Sequence, residues 1–348
     1  MAEVAGHSAV TSAAVTTAAA RPFLAADVGG THARIGLVSR QAGAAQPVSV
    51  HAYQRYACAE WPSLTAVLED FVAHVAPAAP IERCAVASAG YVLGDAIVND
   101  NLPWPVSIRE IRERLGLAQL AVINDFEAVA YATQFLTRAD TLSVIDNTAP
   151  AAAGPVLVMG PGTGLGSAVL LPGAHGPSVL ATEAGQIALA PGNEREIAVL
   201  RILARERSHV SFEHALSGPG LINLYRALCE LRGSAPALTL PAEVTRSALA
   251  RSNEAAVEAL EMFCGLLGSF VGDLVLLYGA RGGVFLAGGI LPQIRELLLT
   301  SSFAARFFNK GVMHAYLQQV PVRLMEHGQH GVIGAAGLYL DGHSAELR

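Results

Sequence analysis

Two short apolar runs stand near the start of the chain, at 22–28 and 33–39, with a glycine turn between them. Each is too short for a stable helix and ends at turn residues. The pattern predicts a buried strand and its hairpin partner, "ARIGLVS". In "WPSLTAVLEDFVAHVAP" (61–77), Leu64, Val67, Leu68, Phe71, Val72 and Val75 recur at helical spacing and predict an amphipathic helix. "RCAVASAG" (83–90) reads as a strand ending in small residues. "SIREIRERLG" (107–116) reads as a helix with Ser107 as N-cap and Gly116 as stop. "LAVINDFEAVAYATQFL" (120–136) passes from strand to helix at Asn124–Asp125. Strand, hairpin, crossover helix and strand together make one α/β domain.

"DNTAPAAAGP" (146–155) reads as a linker, and after it the pattern restarts. A strand at 156–160 leads through the turn "GPGTGLG" (160–166) into a strand at 167–171. Helices are predicted at about 193–206, 219–232, 242–250 and 253–279. "GGVFLAGGILP" (282–292) reads as strand, glycine turn and helix start. A late strand is predicted at 321–327 and a small-residue helix at 331–340. A strand–glycine turn–strand unit thus opens each half.

Composition adds bounds. A chain of 348 residues suggests two domains. With 52% hydrophobic and 15% charged residues it is globular. The net charge of −6, without a Lys/Arg cluster, argues against nucleic acid as a partner. The apolar stretch Met262–Gly272 stops at Asp273, short of the ~20 residues a membrane span needs, and no membrane helix is predicted. Cys58, Cys84, Cys229 and Cys264 lie far apart, without zinc spacing, and read as buried reduced thiols. Residues 1–21 lack the features of a signal peptide and read as a disordered tail.

The two glycine turns carry the first candidate chemistry. Without a side chain in the way, backbone N–H groups can approach an anion closely, and a threonine adds a hydroxyl. Gly29-Gly30-Thr31 and Gly162-Thr163 can each serve as a phosphate grip or simply as a hairpin turn. There is no GxxxxGK[ST] loop, and strands rather than a helix follow "GPGTGLG", which disfavours a dinucleotide fold. Asp27, at a strand end, can hold Mg²⁺ or cap a turn. Asp125 can take a proton from a substrate hydroxyl or cap the helix it opens. Glu183 with Gln186, Glu213 with His214, and Asn99, Asp100 and Asn101 are acids and amides in loops. Together such groups suit a polyhydroxylated ligand; taken singly, each reads first as a solvated loop residue. Trp104 reads as a core residue, and His214 as a helix residue.

In this order the segments resemble the bacterial glucokinases of the hexokinase/actin-like ATPase superfamily, over about residues 22–340. "DVGGTHARIGLV" looks like the first phosphate loop, "NLPW" a sugar-contact stretch and "INDFEA" the catalytic segment. "MGPGTGLGSA" looks like the second phosphate loop, "EAGQ" and "SFEHALSGPGL" sugar-binding segments, and "GGVFLAGGI" the adenosine loop. The resemblance implies a two-domain actin-like (ribonuclease H-like) α/β fold with a ligand cleft between the domains. It implies a small domain of 22–136 plus about 328–348 and a large domain of 137–327. It implies an ATP-dependent hexose kinase, in the first instance a glucokinase. The alternatives are a kinase for another sugar and a weakly active sugar or nucleotide sensor. Asp125 would be the catalytic base. Asn101, Asn124, Asp125, Glu183, Gln186 and Glu213 would bind the sugar. Asp27, Gly29, Gly30, Thr31, Gly162, Thr163, Gly288 and Gly289 would bind ATP, with Asp27 at Mg²⁺. A cytoplasmic homodimer without membrane or nucleic-acid partners is also implied. Two positions depart from the family pattern: His32 stands where Asn is usual, and Gln186 where His is usual.

Overall fold

The first hairpin forms because the inward residues of both runs are apolar and the turn between them is glycine. In the computed structural model β1 (Phe23–Val28) pairs antiparallel with β2 (His32–Arg40), and Asp27 faces Arg34 across the ladder. The structure describes residues 21–41, 46–98, 102–146, 153–174, 176–326, 328–342 and 345–347. The expected tail, apart from Arg21, and most of the expected linker, 147–152, lie outside the described residues. The chain divides into two units, Met1–Ala128 with Gln329–Arg348, and Val129–Gly328. The resemblance puts the first division at 136; by contacts the first unit runs to Ala128, which packs against the C-terminal helix so closely that a Cβ on Gly334 would overlap its carbonyl.

After β2 the first unit runs through β3 (Val48–Ala57), α1 (Leu64–Val75), β4 (Arg83–Ser88) and a small sheet of β5 (Tyr91–Leu93), β6 (Ala96–Val98) and β7 (Val106–Ser107). Next come α2 (Ile108–Leu115), β8 (Gln119–Asn124) and α3 (Asp125–Ala132), within which the first unit gives way to the second. Ser107 caps α2 by accepting from the Glu110 N–H (3.1 Å), and Gly116 ends it in the left-handed region at φ 65°. The main sheet has the order Ala345–Leu347, β8, β4, β1, β2, β3. Strands β1, β4 and β8 are parallel, so their carboxyl ends share one edge.

Alternation then separates the two faces. Leu24, Ala26, Val28, Ala33 and Ile35 pack with Leu64, Leu68 and Phe71 of α1. Each large side chain buried there contributes about 1.5–3 kcal/mol. Trp104 is buried in the same core and donates its indole N–H to the Cys58 carbonyl (3.2 Å). The opposite face is covered by the C-terminal helix His330–Leu340, whose small residues permit close approach. A Cβ on Gly331 would collide with the Asp27 carboxyl.

The second unit holds β9 (Thr141–Ile145), β10 (Val156–Pro161), β11 (Leu165–Leu171), β12 (Ser178–Thr182), α4 (Glu194–Leu203), α5 (Gly218–Leu231), α6 (Pro241–Leu249) and α7 (Glu254–Tyr278). It continues with β13 (Gly283–Leu286), α8 (Arg295–Thr300), α9 (Phe303–Phe308) and β14 (Val322–Met325). Its sheet order is β12-β11-β10-β13-β14-β9. Helix α7 starts at the Asn253 cap and stops at left-handed Gly279. By length and composition it could cross a membrane, unlike the sequence-based expectation, which counted only uninterrupted apolar runs. In the fold 72% of its most apolar stretch is buried, which makes it the core helix of this unit. Gly268 and Gly272 let it approach the backbone of α9 at Phe303 and Phe307.

A buried ion pair ties α4 to α9. Arg306 donates to Glu196 Oε1 and Oε2 at 2.5 and 3.0 Å, and Glu196 is 4% exposed. The Gly192 N–H (2.6 Å) and the Asn193 side-chain amide (2.7 Å) complete the shell of the carboxylate. All four cysteines are buried and free of disulfides. Burial pushes the Cys84 and Cys264 thiols up to about 12, so both stay protonated.

Candidate active site

In the first unit the carboxyl ends of β1, β4 and β8 line up, with Val28 opposite Ser88 and Ser88 opposite Asn124. That edge is where open α/β sheets receive ligands. It brings together Asp27, Gly29, Gly30, Thr31, Asn124 and Asp125; strands two positions apart are roughly 10 Å from each other. The turn is closed by the Gly29 N–H donating to the His32 carbonyl (3.0 Å). Cys58 pins it from behind: its N–H donates to the Thr31 carbonyl (3.0 Å) and its thiol to the Gly29 carbonyl (3.4 Å). Thr31 is exposed at the tip. Asn101, with Asn99 and Asp100, lies outside the described residues.

Asp27 is largely buried, its side chain 16% exposed, and Oδ2 accepts from Arg34 (3.1 Å). Burial raises its carboxyl above the usual range, and the Arg34 guanidinium pulls partly the other way. Among the described residues no cluster of three His, Cys, Asp or Glu could hold a metal ion unaided. A single carboxylate still fits Mg²⁺, which takes most of its ligands from phosphates and water. Oδ1, which Arg34 does not engage, is the fitting atom.

At the β8–α3 junction two readings of Asp125 stood open, and Asn124 takes the cap. Its Oδ1 accepts from the Phe126 and Glu127 N–H groups (3.0 and 3.2 Å). Glu127 Oε2 reaches back to the Asn124 N–H (3.3 Å), forming a reciprocal capping pair. The Asp125 carboxylate accepts from the N–H of its neighbour Phe126 (2.9 Å), which holds it at the sheet edge. Half-buried Glu127 has its carboxyl raised above the usual range, chiefly by burial and against the Asn124 N–H. A raised carboxyl favours the folded state while protonated, and that contribution is lost as pH rises through the carboxylate range. Glu127→Gln keeps an acceptor for the cap and removes the charge. Its melting temperature is therefore expected to gain on the parent chain as pH rises from 4 to 7. A constant or shrinking difference in thermal melts would contradict this account.

In the second unit β10 turns into β11 at Gly162-Thr163-Gly164, with the Gly162 N–H on the Gly164 carbonyl (2.8 Å). The Gly218 N–H at the start of α5 donates to the Gly162 carbonyl (2.8 Å). A Cβ on Gly162 would meet open space, and Thr163 is exposed. Strand β13 runs parallel to β10, so Gly288 and Gly289 emerge at the same edge. Gly288 has φ 86° and packs on the Pro161 carbonyl, and a side chain at Gly160 would overlap the Ala287 carbonyl. Only glycine allows the two loops to lie this close.

Glu213 sits beside the same turn with both oxygens engaged. Oε2 accepts from the Leu165 N–H (2.8 Å) and Oε1 from the Gln186 side-chain amide (3.0 Å). His209 donates to the Gln186 carbonyl (2.8 Å). Gln186 thus orients the carboxylate as a neutral group. Glu183 is exposed and precedes the short 3₁₀ turn Ala184–Gln186. His214 lies in the 3₁₀ turn Phe212–His214 rather than a helix. Its Nδ1 accepts from the Ser211 N–H (3.0 Å), and burial and Arg207 keep the ring neutral. Sequence reading missed Arg34, Glu127, His209 and the Leu165 N–H; only the Asp27–Arg34 hairpin register offered a signal beforehand.

A match to the glucokinase family spans residues 24–341. A glucokinase-like protein of Xylella fastidiosa strain Temecula1 is 48% identical over 322 residues, covering 92% of this chain and 95% of that protein. A glucokinase of Paramagnetospirillum magneticum is 39% identical over 327 residues, 92% of this chain and 98% of its own. The crystal structure of glucokinase from an Antarctic psychrotroph superposes with TM-score 0.79 at 36% identity, covering 92% and 99% of the two chains. Two sheets, each containing a glycine hairpin, with an acid at a strand–helix junction and these similarities, define an ATP-dependent sugar kinase of the two-domain actin-like fold. The chain belongs to the glucokinase family.

Proposed function

We propose that the protein transfers the γ-phosphoryl group of Mg-ATP to the 6-hydroxyl of glucose, with Asp125 taking the hydroxyl proton. The observation that carries this reading is the division of labour at the β8–α3 junction. Asn124 satisfies the helix N–H groups, so Asp125 is not required as the cap. Proton acceptance by a positioned carboxylate contributes about 10²–10⁴-fold. The rest comes from positioning and charge stabilisation, the main terms in phosphoryl transfer. Gly30 and Thr31 in the first unit and Thr163 in the second offer backbone and hydroxyl donors to phosphate oxygens, while Gly29 and Gly162, whose N–H groups close their own turns, keep side chains out of the way. Gly288 and Gly289 accommodate the adenosine. Asp27 Oδ1 with phosphate oxygens would hold Mg²⁺, which neutralises developing charge when bound. Asn101, Asn124, Glu183, Gln186 and Glu213 hold sugar hydroxyls. The reading includes a homodimer in the cytoplasm, where buried reduced thiols are at home.

A second reading, a kinase for another hexose, draws on Gln186, whose amide is committed to Glu213 where a His is usual. A coupled ADP-release assay over a hexose panel separates the two. Glucose is expected to give the highest kcat/KM. A higher value for another hexose would favour the second reading, and no hexose-stimulated ADP release would overturn both.

A further inference from the structure

Beside the first glycine turn lies an arginine that none of these roles uses. Asp27, Arg34 and Arg55 sit in register across β1, β2 and β3, so their side chains share a face of the sheet. His32 is two residues before Arg34 on that face and directly follows Thr31. Arg55 leans diagonally toward the turn, and its guanidinium meets His32 Nε2 at 2.7 Å. A guanidinium can only donate, so Nε2 accepts and the ring is neutral with its proton on Nδ1. Burial, then Arg55 and Arg34, lower the tendency of His32 to protonate, which agrees with that assignment.

Arg34 is neutralised by Asp27 (3.1 Å). Among the described residues no carboxylate lies within ion-pair distance of Arg55. Its partner is a neutral ring. Ordering a long side chain loses rotamer freedom, and His32 returns none of it as charge attraction. The arrangement therefore holds a positive charge at the end of the phosphate turn, on the Asp27 side, without a counter-charge.

We propose that Arg55 contacts a phosphoryl oxygen of the substrate or product at this turn, and that His32 is the positioning residue that aims it. The proposal rests on the reading of Gly29–Thr31 as a phosphate turn. A planar guanidinium suits phosphate geometry, and a ring nitrogen behind it fixes its direction. It also gives a role to the one residue of the turn that departs from the family pattern.

The test measures ATP KM, hexose KM and inhibition by the sugar phosphate product on the full chain. Arg55→Gln is expected to raise the ATP KM, or the product inhibition constant, by about 10–100-fold, the range of a hydrogen bond to a charged group. The first outcome assigns the contact to the nucleotide and the second to the sugar phosphate, while the hexose KM stays within about twofold. His32→Ala moves the same constant in the same direction. The double variant is no worse than Arg55→Gln alone, because the two residues act as one unit. His32→Gln, whose Oε1 can stand in for Nε2, restores most of the loss. Arg109→Gln, a charge removed elsewhere on the same unit, leaves all three constants unchanged. Thr31→Val reports separately on the phosphate turn: if it leaves the ATP KM unchanged, the underlying reading fails. If Thr31→Val raises the ATP KM while Arg55→Gln moves neither constant, the turn stands and the role of Arg55 is overturned.

Discussion

Asp125→Asn is expected to lose about 10²–10⁴-fold in kcat while still binding sugar. The reason is local. Asparagine keeps the size of the side chain and an oxygen to accept from the Phe126 N–H. The cap on α3 is held by Asn124 and Glu127 and does not depend on position 125. What is removed is the ability to take a proton. Turnover is read by coupled ADP release and sugar affinity by calorimetry. Turnover near that of the parent would remove Asp125 from the mechanism, and loss of sugar binding together with turnover would make it a binding residue instead.

Glu196→Ala is expected to produce the largest loss of stability. It leaves the Arg306 guanidinium without a counter-charge and frees the Gly192 N–H and the Asn193 amide. Breaking a buried pair by removing one partner costs about 3–5 kcal/mol. For a unit of this size that lowers the melting temperature on the order of 10 °C. Glu230→Ala is the comparison. Its partner Arg205 also lies at 2.5 Å, but the two side chains are 60% and 50% exposed, and such pairs contribute about 0–1 kcal/mol. Equal melting temperatures for the two variants would refute the argument from burial.

What the sequence revealed was local. The hairpin at 23–40, the Ser107 and Gly116 boundaries of α2 and the long core helix are set by residues within a few positions of one another. Strands β3, β9 and β12 escaped detection because all three are sheet edges and carry polar or half-exposed residues that blur the alternation. The site divided in the same way. The glycine turns and Asp125 were legible from spacing. The capping role of Asn124 was not, because Asn and Asp are equally good caps. The Gln186–Glu213 contact joins residues 27 apart through a fold that spacing alone does not specify. The Arg55–His32 contact crosses from a strand that had not been recognised.

One feature of the topology bears on how the molecule is made. The first unit is closed by residues 329–348: the helix His330–Leu340 covers the face that carries Asp27, and Ala345–Leu347 extends the sheet beyond β8. The second unit, Val129–Gly328, is contiguous and includes none of these residues. On a ribosome that has delivered residues up to 328, the second unit can therefore be folded while the half that carries Asp125 still lacks its cover. The first unit then completes its sheet and its cover only after residues 329–347 have been made. A chain cut there would keep every residue of the second unit and lack the cover and the outer strand of the first.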